Sequence, residues 1–222
     1  MARRGFTLIE MLVVVVILLL LAAILMPVLK SAEEKGRQTA CESNLAHLAK
    51  AFALYRADYE GRQPPEMAGS ISLGNVVYWP ALINTYVNST QMFICPSEPK
   101  RAWSGRPDDP NVCYALNFLY MNGRLTDYGG AESLVWEPHD TVLLVDSDTY
   151  VAADPQSRRG AYAVAAIWGR IRARHNGMVS IAWEDGHVNH KPKSFLCDWR
   201  HWDACNKPYD GDAYPPLEGN CP

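Results

Sequence analysis

Arg3-Arg4-Gly5-Phe6-Thr7-Leu8-Ile9-Glu10 runs straight into the apolar stretch Met11 to Leu29, so one acid stands near the start of an otherwise uncharged segment. A membrane helix needs roughly 20 apolar residues at about 1.5 Å of rise each, and residues 6–29 are long enough to span. A carboxylate in hydrocarbon is costly, which makes an intramembrane acid a functional group whose partner must be found. For Glu10 the expected partner is another copy of the same chain. Arg3 and Arg4 hold the N-terminus in the cytoplasm and put everything after Lys30 outside. Two plainer readings compete: a secretory signal peptide cleaved near Ala22-Ala23, and a simple single-span anchor. Both account for the hydrophobicity and the arginines. Neither accounts for Glu10, or for a glycine between the basic pair and the apolar run.

Beyond the span, Cys41, Leu45, Leu48, Phe52, Tyr55 and Tyr59 recur at steps of four, three, four, three and four. That spacing writes an apolar stripe on an amphipathic helix. Glu33, Glu34, Lys35, Arg37, Glu42, Lys50, Arg56 and Asp58 lie off the stripe, and Gly61, Pro64 and Pro65 stop it. One long helix over Phe6 to Glu60 is expected, with Pro27 locally kinking or melting it.

Gly5-Phe6-Thr7-Leu8-Ile9-Glu10 resembles the signal of type IV pilins and type II secretion pseudopilins. The resemblance covers about the first thirty residues. It implies that a prepilin peptidase cuts between Gly5 and Phe6 and methylates Phe6, that Glu10 serves in assembly, and that Pro27 is the helix-kinking proline of that family. It further implies a lollipop-shaped α+β protein: a leader over residues 1–5, a transmembrane or filament-core helix over 6–29, its amphipathic continuation over 30–60, and a head over 61–222. The implied partners are copies of the chain itself in a helical filament, the prepilin peptidase, an inner-membrane assembly platform, and minor pilins or pseudopilins. The precursor is then a single-pass inner-membrane protein with its head outside the cytoplasm, and the mature form belongs to a periplasmic or cell-surface filament.

About 190 of the 222 residues follow the span, within the range of one domain with a real core. Formal net charge is −3, and loss of Arg3 and Arg4 makes it −5. No dense basic patch or nucleic-acid motif is present, so no nucleic-acid partner is expected; Arg158, Arg159, Arg170, Arg172 and Arg174 read as a solvated edge. Tyr78 to Val87 has a helical pattern with Pro80 in its first turn. Gln91 to Cys95, Tyr114 to Phe118, Thr141 to Asp146, Ala161 to Trp168, Met178 to Trp183 and His187 to His190 read as strands. Asp185-Gly186 marks a hairpin turn between the last two. An antiparallel sheet packed on the stripe of the long helix is therefore expected.

His175, followed after nine residues by Asp185-Gly186, resembles the H-X9-DG tail of pilin-like proteins of planctomycetes and related bacteria. Asn44-Leu45, the Tyr55 to Gly61 region and Phe93-Ile94-Cys95-Pro96-Ser97 fit the same pattern. That tail brings no activity with it. Physically, the His175 ring can donate to the Asp185 carboxylate and lock the hairpin. A metal site from His175, Asp185, His187 and His190 is awkward, because His187 and His190 on one strand point to opposite faces. Calcium on Asp198, Asp203, Asp210, Asp212 and Glu218 is the better metal candidate only by the resemblance to pseudopilins, some major members of which bind it in a C-terminal loop; the spacing is no EF-hand, acids in a loop are usually just solvated, and no cofactor is required.

Cys41, Cys95, Cys113, Cys197, Cys205 and Cys221 all fall on the exported side, where an even count suggests disulfides with 15 complete connectivities. Cys41 with Cys95, Cys197 with Cys205 and Cys113 with Cys221 form a first assignment; a zinc site is less attractive because no close CxxC pair is present, and reduced buried thiols are the alternative. No G-x-S-x-G, P-loop, HExxH or Rossmann glycine pattern is present, so no enzyme is expected. The competing class is a membrane-anchored extracytoplasmic binding module for a glycan, exported protein or metal. An exposed cluster of Trp103, Trp136, Trp199 or Trp202 would favour it.

Overall fold

The structure, a computed structural model, describes residues 6–65, 67–68, 77–98, 101–109, 111–117, 135, 137–147 and 171–197. Helix α1 runs over Leu8–Asp58. Two compact units divide the chain, residues 1–36 and 37–222.

In the first unit α1 begins on a capping box. Thr7 is the N-cap residue, its Oγ1 accepting from the Glu10 backbone N–H at 3.3 Å, and the Glu10 carboxylate accepts from the Thr7 N–H at 2.8 Å and the Thr7 hydroxyl at 2.7 Å. Two of the donors that a helix start leaves unsatisfied are thereby paired. Helical residues continue without a break through Pro27. The expected melting at that residue does not occur: a proline removes one internal hydrogen bond, and intact turns on both sides hold the conformation.

The second unit contains the amphipathic end of α1, strands β1 (Met67–Ala68) and β2 (Val77–Tyr78), helix α2 (Trp79–Val87), a 3-10 turn over Thr90–Phe93, strands β3 (Tyr114–Leu116), β4 (Val142–Asp146), β5 (Met178–Trp183) and β6 (Val188–Pro192), and a closing 3-10 turn over Lys193–Cys197. β1 and β2 pair with each other, while β3-β4-β5-β6 form an antiparallel sheet in that order. A long N-terminal helix with a four-stranded antiparallel sheet is the expected α+β arrangement. Gln91 to Phe93, expected as extended, instead belongs to the 3-10 turn. Ala161 to Trp168 lies outside the described residues.

The stripe packs as its spacing requires: Cys41, Leu45, Leu48 and Phe52 are fully buried and Tyr55 nearly so. Each such leucine or phenylalanine contributes about 1.5–3 kcal/mol relative to exposure. An aromatic chain continues the core, from Phe52 to Trp79 at 5.6 Å between centroids, Trp79 to Phe93 at 5.9 Å and Phe93 to Trp103 at 4.5 Å. Two side chains depart from the helical wheel. Tyr59, one residue past the end of α1, is exposed and stacks on Tyr55 at 4.1 Å. Arg56, written as an off-stripe charge, is buried against Glu184.

Tight turns set the end of α1 and both ends of β5. After α1, Glu60 and Gly61 take positive φ and the Gly61 N–H bonds the Arg56 carbonyl at 2.7 Å. Before β5, Asn176 and Gly177 both take positive φ, 53° and 81°, while His175 and Met178 exchange backbone hydrogen bonds. That is a two-residue type I′ turn, for which Asn-Gly is the favoured pair. After β5, only Gly186 has positive φ (90°), and its N–H bonds the Trp183 carbonyl.

Candidate functional site

The type I′ turn fixes where His175 points. Its ring is fully buried, with Nε2 3.4 Å from Cys95 Sγ and 3.8 Å from an Asp146 oxygen, and Nδ1 3.5 Å from Ser97 Oγ. The expected bond from His175 to Asp185 is not formed. Six strand residues at about 3.3 Å each separate the two, so they sit at opposite ends of β5. Asp185 instead accepts from the backbone N–H of His187 at 3.0 Å and pairs with its ring Nδ1 at 2.6 Å. His190 pairs with Glu42. The four-residue metal site is therefore split into two pairs at opposite ends of β5: His175 with His190, at 6.1 Å between ring centroids, and Asp185 with His187. The acids proposed for calcium lie outside the described residues.

What gathers around His175 comes from other elements. Cys41 arrives on α1, Cys95 after the 3-10 turn, and Asp146 at the end of β4. Cys41, Cys95, Asp146 and His175 are all fully buried, and one ligand atom from each lies within 4.8 Å of the others. The Cys41 sulfur is 3.6 Å from Asp146 Oδ1 and 3.5 Å from Ser180 Oγ, and it accepts from the Tyr114 hydroxyl at 3.3 Å. Asp146 accepts from the Ser180 N–H at 3.0 Å and from Arg174 at 3.4 Å. Arg174 also donates to the Cys113 and Ser147 carbonyls at 3.2 and 2.7 Å, so it belongs to this buried shell rather than to a solvated arginine edge.

These contacts polarise the cluster. Hydrogen bonding between the two thiols pushes Cys41 up and Cys95 down, with His175 adding to the fall at Cys95. Burial lifts the Asp146 carboxyl to about 6, the charge on Cys95 adds to the rise, and Arg174 opposes it. A thiolate beside an imidazole has the composition of a nucleophilic dyad, but full burial of both side chains denies it a substrate. Two sulfurs, one imidazole and one carboxylate within reach of a common centre form instead a donor set suited to a tetrahedral metal.

Cys41, Cys95 and Cys113 are free thiols, which corrects the disulfides assigned to them. The spacing did bring Cys41 and Cys95 together, since a residue on the stripe meets the segment crossing it. Of the other three, Cys205 and Cys221 lie outside the described residues, as does the Cys197 side chain. Trp103 is buried in the core and donates its indole N–H to the Asp109 carbonyl at 2.9 Å, so it is no part of an exposed platform. Trp136, Trp199 and Trp202 lie outside the described residues. A groove of about 600 Å³ lies between α1 and residues 89–96 and 101–103, lined in part by Asn44, Gln91 and Arg101. Neither His175 nor Asp185 lines it.

At the other end of the chain, Gly5, Phe6, Glu10 and the apolar run carry the second constellation. Residues 1–26 match the model of the prokaryotic N-terminal methylation motif. Over this segment the chain is similar to the type IV pilins and pseudopilins, and the match supports a pilin-like or pseudopilin-like exported protein made as a membrane-anchored precursor. Processing by a prepilin peptidase and assembly into filaments go with that motif. No curated protein and no solved structure matches the chain significantly.

Proposed function

We propose that the chain is a structural subunit, pilin or pseudopilin, of a type IV pilus or type II secretion pseudopilus, and that it polymerises through its N-terminal helix once prepilin peptidase has cut between Gly5 and Phe6. One observation carries this reading: the signal leads into a helix whose apolar surface its own unit leaves uncovered. From Leu8 to Leu29 the large apolar side chains are between 46% and 84% exposed. So large a patch marks a membrane or protein interface. The bilayer covers it in the precursor, with the head outside the cytoplasm, and copies of the same helix cover it in the filament. Minor subunits and the inner-membrane assembly platform are the further partners.

Glu10 supplies the register. Cleavage frees an ammonium at Phe6, and in a filament of staggered subunits the Glu10 carboxylate of one copy neutralises the ammonium of the next. Removing one member of such a pair leaves a bare charge, at about 3–5 kcal/mol. The role is one of assembly and requires no catalytic group.

Intact mass and N-terminal sequencing of protein from membrane and sheared-surface fractions test the proposal. A chain beginning with N-methylated Phe6, recovered from shed filaments, is expected. Retention of Arg3 and Arg4, or a cut beyond Ala23, would overturn it. Glu10→Ala is expected to be processed normally and to assemble poorly.

A further inference from the structure

We propose that Cys41, Cys95, Asp146 and His175 bind one zinc ion, which staples the amphipathic part of α1 to the sheet. Geometry is the first argument. Ligands around a tetrahedral zinc, at about 2.0 Å for nitrogen and oxygen and 2.3 Å for sulfur, stand about 3.3–3.8 Å from one another. Cys95 Sγ stands 3.4 Å from His175 Nε2, Cys41 Sγ 3.6 Å from Asp146 Oδ1 and His175 Nε2 3.8 Å from Asp146 Oδ2, and one ligand atom from each of the four residues lies within 4.8 Å of the others, so a small contraction closes the set on one ion. All four residues belong to the head unit and come from four different segments, so no local turn explains their convergence.

Charge is the second argument. A dication with two thiolates and a neutral imidazole is neutral, and the remaining negative charge of Asp146 faces the guanidinium of Arg174, whose side chain is only 7% exposed. Buried charge is tolerated when it is compensated and hydrogen-bonded in this way. The surrounding donors fit as well: the Tyr114 hydroxyl points at the Cys41 sulfur, the Ser180 N–H at Asp146, and Ser97 stands at His175 Nδ1, the ring nitrogen away from the ion, where a hydrogen bond fixes the ring and its tautomer. Binding takes both sulfurs as thiolates and the imidazole as neutral, and releases to solvent whatever protons these groups still hold, with no change of oxidation state. Because the metal uses the sulfurs that a Cys41–Cys95 disulfide would consume, the two states exclude each other.

The inference is independent of filament assembly and is tested without it. The full chain, extracted in detergent from reducing-agent-free membranes and purified without a polyhistidine tag, is expected to carry one zinc per chain by elemental analysis, with Cys41 and Cys95 open to alkylation only after chelation and denaturation. Exchange of zinc for cobalt(II) should give the visible absorption of a tetrahedral, thiolate-ligated ion. His175→Ala should lower zinc at least tenfold, His175→Cys should keep it, and His187→Ala should leave it unchanged. Should His175→Ala fail to fold, the wild-type stoichiometry and the cobalt spectrum still decide. A Cys41–Cys95 disulfide, free thiols without zinc, or zinc retained in folded His175→Ala would each overturn the proposal.

Discussion

Arg56, near the C-terminal end of α1, forms a buried ion pair with Glu184, which follows β5 and lies 128 residues later in the chain. Gln63 donates to the same Glu184 oxygen at 2.6 Å, so the segment after α1 is tied to this carboxylate as well. Removing one member of a buried pair strands the other, whereas replacing both with apolar groups is often neutral. Glu184→Ala is therefore expected to destabilise the head by about 3–5 kcal/mol, and Arg56→Met with Glu184→Leu to recover most of that loss. Urea unfolding of the full chain in detergent checks both. A single substitution costing under about 1 kcal/mol would show that the pair is effectively solvated.

Arg56 also shows where the sequence stops being legible. The periodicity of α1 identifies Cys41, Leu45, Leu48, Phe52 and Tyr55 as buried because that signal is local. A charge off the stripe reads as solvated unless its partner is known, and Glu184 lies beyond strands β1 to β5. The same limit hides the cluster around His175: the H-X9-DG spacing marks His175 but suggests a partner ten residues on, while its neighbours come from positions 41, 95 and 146. Two local signals do carry more than hydropathy conveys. Thr7-x-x-Glu10 is a capping box in plain sequence. Asn176-Gly177 before a β-branched run is a type I′ turn, and that turn is what aims His175 inward.

Gly177 tests the turn. Its φ is 81°, and a Cβ built there meets nothing within 4 Å, so any cost of Gly177→Ala comes from the backbone alone. Left-handed conformation costs a side-chain-bearing residue about 1–2 kcal/mol. A loss of that size in thermal or urea unfolding is expected, with Gly36→Ala, in a helix and equally open, showing no loss. Equal effects at the two glycines would mean that the turn is not held in this conformation.

Asp109 gives a pH signature remote from the cysteine cluster. Partial burial works against its charge, but hydrogen bonds from the Ser104 hydroxyl and N–H, at 2.6 and 2.9 Å, and from the Asn111 N–H, at 2.9 Å, outweigh it and hold the carboxyl below its usual range. A depressed folded value favours folding when the carboxylate is charged, so this stabilisation is present above the ordinary value of 3.8 and is lost as pH falls through the lower folded value. Asp109→Asn should therefore be less stable than the parent at pH 7, with the gap closing in strong acid. A gap that is constant with pH would assign the effect to shape rather than charge.

Thr7 separates two roles of Glu10. In the single chain the Glu10 carboxylate is occupied by the Thr7 N–H and hydroxyl. A carboxylate offers about four acceptor positions, so capping within the chain does not prevent it from meeting the Phe6 ammonium of a neighbour. Cleavage after Gly5 also leaves the Thr7 amide in place, so the cap survives processing. Thr7→Ala should cost about 0.5–2 kcal/mol at the helix start, visible as faster amide exchange over residues 8–11 in micelles, while filaments still form. Glu10→Ala should lose both the cap and the filaments, and Glu10→Gln, which keeps an acceptor but no charge, should lose filaments alone. If Thr7→Ala abolishes assembly as completely as Glu10→Ala, the acid acts by ordering its own helix, and the charge pairing between subunits is excluded.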